Sequence, residues 1–312
     1  MTLGQLSAFV LVARLGSVTD AARALGVSEP AVSQALAALR SHHGDKLVVR
    51  SADGMTLTPG GRRLLPIATQ MVALGADAEA AVREAKGVAD ELRVAVSSTI
   101  AEFVANPLLE AFGRRAGNPV EFSAGLARTT EMAVLVGNRL ADAALGPRLT
   151  DPDLDSMPIF QGSLLVVGSP RRRGQGGPCS WQWFVDPSGA DPDSDAGRLL
   201  RALGVPDDHV EVFANQTAAW SAAASGAGVS IGMEHLVAPQ LRRRELVVVP
   251  TPATPAPVCW HVTTPARGRC SAVAASLRHF LATPGAMQVM RSPGGGVPPS
   301  RFRPPVNVTI WS

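Results

Sequence analysis

Ser28-Glu29-Pro30-Ala31-Val32-Ser33-Gln34-Ala35-Leu36-Ala37-Ala38-Leu39-Arg40 decides how the N-terminal region folds. On a 3.6-residue period Val32, Leu36 and Leu39 share one side of a helix, whereas Pro30, Ser33, Gln34 and Ala37 gather on the other. Ser28 supplies an N-cap hydroxyl, Glu29 complements the helix dipole, and Pro30 sits where its missing N–H costs nothing. Upstream, Ala21, Ala22, Ala24 and Leu25 predict a short apolar helix beginning near Thr19, and Gly26-Val27 supplies the turn into Ser28. Leu3, Leu6, Phe9, Val10 and Ala13 recur at helical spacing and give a first helix on which the other two pack. The pattern predicts a helix-turn-helix whose small polar face, Ser28, Pro30, Ser33, Gln34 and Ala37, fits the edges of base pairs in a groove of double-stranded DNA.

After Leu39 the residues from Lys46 to Arg50, Ser51 to Gly54 and Met55 to Thr58 predict strand, turn and strand, a two-stranded wing. Arg50, Arg62 and Arg63 lie beside it and are candidates for phosphate contacts, which fix register on a duplex without reading sequence. Thr58-Pro59 has the form of N-cap and first helical residue, opening a helix to about Lys86. Leu64, Ala68, Met71, Gly75, Ala78 and Val82 follow a 4-3-4-3-4 rhythm on it. Such a helix, about 40 Å long at 1.5 Å per residue, leaves two readings of its seam. It packs on its own domain, or it pairs with a second copy, which two half-sites on DNA would require.

This order of parts resembles the LysR-type transcriptional regulators. The residues that carry the resemblance run from Phe9 through Ser17-Val18, Ala21-Ala22, Leu25, Val27-Ser28, Pro30-Ala31-Val32-Ser33, Leu36, Leu39, Leu47 and Arg50 to Leu57-Thr58 and Gly61. The chain departs from the family pattern at Arg40, where an acidic residue is usual, at the muted Gln34-Ala35 pair, and at Val48, where an aromatic is usual. The resemblance implies an effector-binding region after the helix, built of two Rossmann-like lobes like those of periplasmic binding proteins, and a homodimer or homotetramer.

The rest of the sequence is read as α/β. Leu92, Val94 and Val96 alternate as a strand, Ile100, Phe103 and Val104 open a helix that Pro107 kinks or restarts, and Val120 to Phe122, Thr130 to Val136 and Ala141 to Leu145 continue the alternation. A second unit follows. Its strands are Leu164 to Val167, Trp181 to Val185, Val210 to Phe213 and Leu246 to Val249, and its helices run from Asp195 to Leu203 and Gln216 to Ser225. The fold class is thus α+β multidomain: a winged helix-turn-helix (1–58), a linker helix (59–87), and a two-lobed effector domain (90–284). Lobe I takes about 90–162 and 264–284 and lobe II about 163–263. Residues 285–312, with Gly294-Gly295-Gly296, Pro298-Pro299 and Pro304-Pro305, are expected to be a flexible tail.

Ligands of open α/β sheets lie at the carboxyl ends of strands, where helix N-termini offer free N–H groups to anions. Ser97, Ser98 and Thr99 hold such a position in lobe I, Thr129 and Thr130 follow its second strand, and Asn215, Gln216 and Thr217 face them from lobe II. They are the candidate contacts for a small, anionic effector. Each also has the plainer reading of a helix cap.

Composition agrees. The 312 residues are 46% apolar with a net charge of +3, and a pI near 9.1 suits a nucleic-acid partner. Cys179, Cys259 and Cys270 are an odd number without metal-ligand spacing, as in a reducing cytoplasm. No secretory pattern opens the chain, and Val212 to Met233 is too rich in glycine and polar residues to span a membrane, so a cytoplasmic protein is expected. His42, His43, His209, His235, His261 and His279 are scattered, and none of the common hydrolase, phosphate-loop or metal motifs occurs. No catalytic residue, metal or cofactor is expected. Asp186, Asp191, Asp193 and Asp195 lack calcium-loop spacing and are read as a solvated loop. Two alternatives stay open: a thiol switch between Cys259 and Cys270, and a solute-binding protein built on the two lobes alone.

Overall fold

The computed structural model describes residues 1–293 apart from 52–53, 87–88, 117–118, 173–175 and 267–268. The tip of the predicted wing, the linker residues Gly87 and Val88, Arg267 and everything from Gly294 onward lie outside the described residues.

Three helices, α1 (Leu3–Leu15), α2 (Val18–Leu25) and α3 (Glu29–His43), precede the antiparallel pair β1 (Val48–Ser51) and β2 (Gly54–Leu57). Ser28 caps α3 by accepting from the Ala31 amide, and Gly26, at φ 65°, makes the left-handed turn between α2 and α3. Val32, Leu36 and Leu39 are buried in the same apolar cluster as Phe9 and Ala21. The wing is anchored at its base: Asp45 Oδ1 accepts from the Leu47 amide at 2.7 Å and from the Thr58 hydroxyl at 2.8 Å. Those bonds hold the Asp45 carboxyl below the ordinary aspartate range.

Thr58 also caps α4 (Pro59–Ala85), its hydroxyl accepting from the Gly61 amide at 3.0 Å. The predicted seam of α4 divides. Ala68 is fully buried, and a Cβ on Gly75 would stand 2.5 Å from Leu3 Cδ1, so this part of the stripe packs on α1 of its own chain. The apolar residues that α4 exposes to solvent include Ile67, Leu74, Ala78 and Val82.

Beyond α4 come β3 (Asp90–Val96), α5 (Ser98–Phe103), α6 (Ala105–Gly113), β4 (Val120–Leu126), α7 (Thr129–Gly137), β5 (Ala143–Gly146) and β6 (Leu154–Gly168). They are followed by β7 (Trp183–Val185), α8 (Asp195–Ala202), β8 (Val210–Val212), α9 (Gln216–Ala224), β9 (Val229–Met233), α10 (Glu234–Arg242), β10 (Val247–Val248), β11 (Ala256–Pro265), α11 (Ala272–Leu281) and α12 (Pro284–Arg291). The break at Val104 puts Pro107 in the first turn of α6, where it is tolerated.

One nine-stranded sheet runs in the order β4-β3-β5-β11-β6-β9-β7-β8, with β10 on β6. Its two ends are parallel trios, β4-β3-β5 and β9-β7-β8, the centres of two lobes. Antiparallel β6 and β11 pass through both and join them. The return crossing in β11 falls at a bulge between Trp260 and His261, and His261 to Thr263 already pair with β5. The boundary is therefore about three residues earlier than the expected 263/264. The expected tail is also corrected: Thr283 caps α12, and Ala286 and Met290 are buried, so residues 284–291 belong to the folded domain.

Candidate functional site

Ser28, Pro30, Ser33, Gln34 and Ala37 are all exposed along the outer face of α3, while its other face is buried. Arg50 on β1 and Arg62 and Arg63 on α4 are exposed beside it. Arg62 is positioned by its own fold, donating from Nη1 to the Leu57 carbonyl at 2.8 Å. Arg40, the residue that departs from the family pattern, donates from Nε to the Lys46 carbonyl at 2.9 Å and from Nη2 to that of Val48 at 3.2 Å. It ties the end of α3 to the root of the wing, a task an acidic residue has no N–H to perform. A convex helix flanked by a wing and unshielded guanidiniums is the geometry of a groove reader.

The three groups of predicted effector contacts do converge between the lobes. What they meet is the chain's own carboxylates. Glu102 of α5 accepts from the Gln216 amide at 2.7 Å, the Thr217 amide at 3.0 Å and the Thr217 hydroxyl. Asp191 of lobe II accepts from the Thr129 amide and hydroxyl, both at 2.8 Å. Ser98 donates to Asp186 Oδ2 at 2.5 Å. Each contact sets a carboxylate from one lobe on the first turn of a helix in the other, where N–H groups and the helix dipole favour negative charge. Phe103 and Trp220 stack across the same gap with ring centroids 5.5 Å apart.

Asp186 and Asp191 are thus buried latches, which corrects the reading of a solvated loop. Burial pushes the Asp186 carboxyl above the ordinary range, against the hydrogen bonds from Ser188 and Ser98, and the neighbouring Glu102 charge adds to the rise. Gln216 is also corrected: its side chain turns into lobe II, donating to the Ser230 hydroxyl at 3.3 Å and the Ile231 carbonyl at 2.8 Å, so only its amide faces the gap. Asn215 caps α9 through the Ala218 amide. Ser97 and Thr99 are half-buried and Thr130 is exposed, with Ser97 making no side-chain cap bond. Glu102 was not singled out in the sequence, because a lone glutamate in a short amphipathic helix looks like any solvated residue.

Residues 3–62 match the bacterial regulatory helix-turn-helix protein, lysR family, and residues 85–284 match the LysR substrate binding domain. The chain belongs to the LysR family. This LysR-family regulator is 34% identical over 324 residues to the uncharacterized HTH-type transcriptional regulator Rv0377 of Mycobacterium tuberculosis, with both chains covered in full. It is 29% identical over 311 residues to the HTH-type transcriptional regulator CfxR of Cupriavidus necator, covering 96% of this chain and 97% of the relative. Among solved structures, a variant of full-length AphB shares the fold with a TM-score of 0.58 at 17% identity, over 90% of this chain and 98% of that one. The regulator is therefore a transcriptional regulator with a helix-turn-helix and an effector-type domain.

The two candidate thiols of the regulator are carried apart. Cys259 lies six residues before the end of β11, roughly 20 Å at the rise of a strand, and Cys270 follows beyond that end, next to Arg269, whose Nη2 donates to the Asp153 carbonyl. A disulfide needs Cα atoms within about 7 Å. Burial also pushes the Cys259 thiol up, with the Asp195 charge adding to it, the opposite of what a thiolate sensor needs. Among the described residues no cluster of three His, Cys, Asp or Glu side chains is arranged to hold a metal, and no helix is long and apolar enough to cross a membrane.

Proposed function

We propose that this regulator reads double-stranded DNA with Ser28, Pro30, Ser33, Gln34 and Ala37 at base edges and Arg50, Arg62 and Arg63 at phosphates. A small molecule acting between the lobes governs it. The exposed outer face of α3 beside an anchored wing carries the reading. The small, mostly neutral groove side chains leave much of the affinity to phosphate contacts and hence to salt.

Two copies pair through the face of α4 that α1 leaves open, Ile67, Leu74, Ala78 and Val82, giving a dimer or tetramer that presents two readers to two half-sites. The effector works by population shift: it must prefer one arrangement of the lobes over another. An effector with an anionic group competes with Glu102 for the N-terminus of α9 and with Asp191 for that of α7. The protein acts in the cytoplasm and without catalysis or a cofactor. A mobility-shift assay with the duplex upstream of its own gene tests the reading: a retarded complex that weakens on Arg50→Ala is expected, and no complex at low salt would refute it.

A further inference from the structure

The DNA-reading domain and lobe I share one apolar cluster, in which Phe9, Ala21 and Ala24 stand with Ala95, Met132, Leu135 and Val136. At the edge of that cluster lies a network of four charges. Glu131, 2% exposed, accepts from Arg128 and, at 2.9 Å, from Arg23 Nη1, while Asp20 pairs with both Arg23 and Arg128. Asp20 and Arg23 belong to α2, the helix that hands the chain to α3; Arg128 and Glu131 form the first turn of α7 and its cap. Thr129, which follows Arg128 in that turn, is the residue that Asp191 of lobe II grips through both its amide and its hydroxyl. At the other end of α7, Arg139 Nη2 reaches Asp77 of α4 at 3.6 Å.

We propose that the first turn of α7 couples the cleft to the reader. Lobe II holds one side of this turn through Thr129, the reader holds the other through Arg128 and Glu131, and opening the cleft loosens α2. The inference rests on the proposed roles of α3 and the cleft. The four residues from Arg128 to Glu131 cannot answer to Asp191 and to α2 independently, because the Glu131 carboxylate also accepts from the Arg128 amide at 2.8 Å and so ties the two ends of the turn together. Glu131 is buried, so losing its cationic partners leaves a carboxylate without compensation, and the network resists disruption far more than a surface pair would. Two sites that bias one such element are thermodynamically linked.

The test is amide hydrogen exchange across α2 in the full-length chain. Arg128→Ala is expected to raise exchange at residues 18–25 about tenfold or more, and Asp191→Ala, which touches no residue of the reader, to raise it about threefold or more. Asp153→Asn, which removes the charge from a surface ion pair with Arg269, serves as the control and leaves α2 unchanged. Should Asp191→Ala melt the domain by circular dichroism, Thr129→Val removes one of the two latch bonds and takes its place. Unchanged α2 exchange in whichever cleft variant stays folded overturns the coupling. Binding of a random-sequence 30-base-pair duplex, followed by fluorescence anisotropy at low salt, separates the two claims. Failure to bind refutes the DNA-reading role alone, whereas binding with α2 unresponsive to the cleft refutes the coupling alone.

Discussion

Replacing Glu102 with alanine removes the acceptor of two amides and one hydroxyl at the start of α9, with N···O distances of 2.7 and 3.0 Å for the amides. Hydrogen bonds with a charged partner contribute about 1.5–3 kcal/mol each, and a carboxylate at a helix N-terminus about 0.3–1 kcal/mol more. These contributions overlap. Thr217 is exposed, so water takes up part of what Glu102 releases, and only the Gln216 amide loses its partner in a half-buried place. A net loss of about 2–3 kcal/mol from the latched state follows, and at 1.4 kcal/mol per factor of ten this is a roughly 30- to 150-fold shift. Amide exchange at Gln216 and Thr217 in the intact protein reads it directly, since these are the amides that the latch protects. Glu102→Gln keeps an acceptor and drops the charge, and should fall well short of the alanine variant. A rise of less than about threefold in Glu102→Ala would show that the carboxylate does not hold the lobes.

Arg50→Ala should weaken binding to every duplex alike and lower the slope of log affinity against log salt by about one; a loss confined to one sequence would remove Arg50 from the phosphate contacts. Leu74→Glu puts a charge on the most exposed large apolar residue of α4, 67% accessible, and light scattering should find monomer where the parent is paired. Gly61→Ala sets a Cβ 2.0 Å from the Leu47 carbonyl oxygen, at the joint of wing and α4, and should cost about 2–4 kcal/mol in urea unfolding; an unmoved midpoint contradicts that joint. Burial lowers His235 to about 4, so the folded state disfavours its protonation and stability is lost as pH falls from about 6.5 toward 4; in His235→Phe the pH dependence of the melting temperature should flatten over that window.

The N-terminal region of this molecule is legible because its signals are local. Ser28, Gly26 and Thr58 act on backbone groups within three residues, and Val32, Leu36 and Leu39 declare their face by period alone. The lobes are legible as alternation, less so as boundaries. β6 contains Pro158 and Gly162, which blur its period, and α12 opens on Pro284 in a stretch that composition marks as tail. The cleft was half legible. Hydroxyls and amides after strands point to it, yet the groups that close it come from positions 62 and 114 or 115 residues away in sequence. No period or spacing announces an aspartate that turns inward from a loop rich in aspartates. Only the fold distinguishes Asp186 and Asp191, which are buried, from Asp193, which is exposed.

The cross-lobe contacts are reciprocal, and that constrains how an effector can act. Lobe I lends Glu102 to α9, and lobe II lends Asp191 to α7 and Asp186 to the hydroxyl of Ser98 at the head of α5. A cleft latched by its own carboxylates has its closed state populated in advance. A ligand that only adds contacts to that state then has little population left to move, however tightly it binds. The larger response belongs to a ligand that favours the open state, and reversing a 99:1 preference takes about 5.5 kcal/mol of differential affinity. That is more than the Glu102 latch alone contributes, so such a ligand must release a second latch as well. Asp191 is the latch whose release would also reach α2 through Thr129 and Glu131.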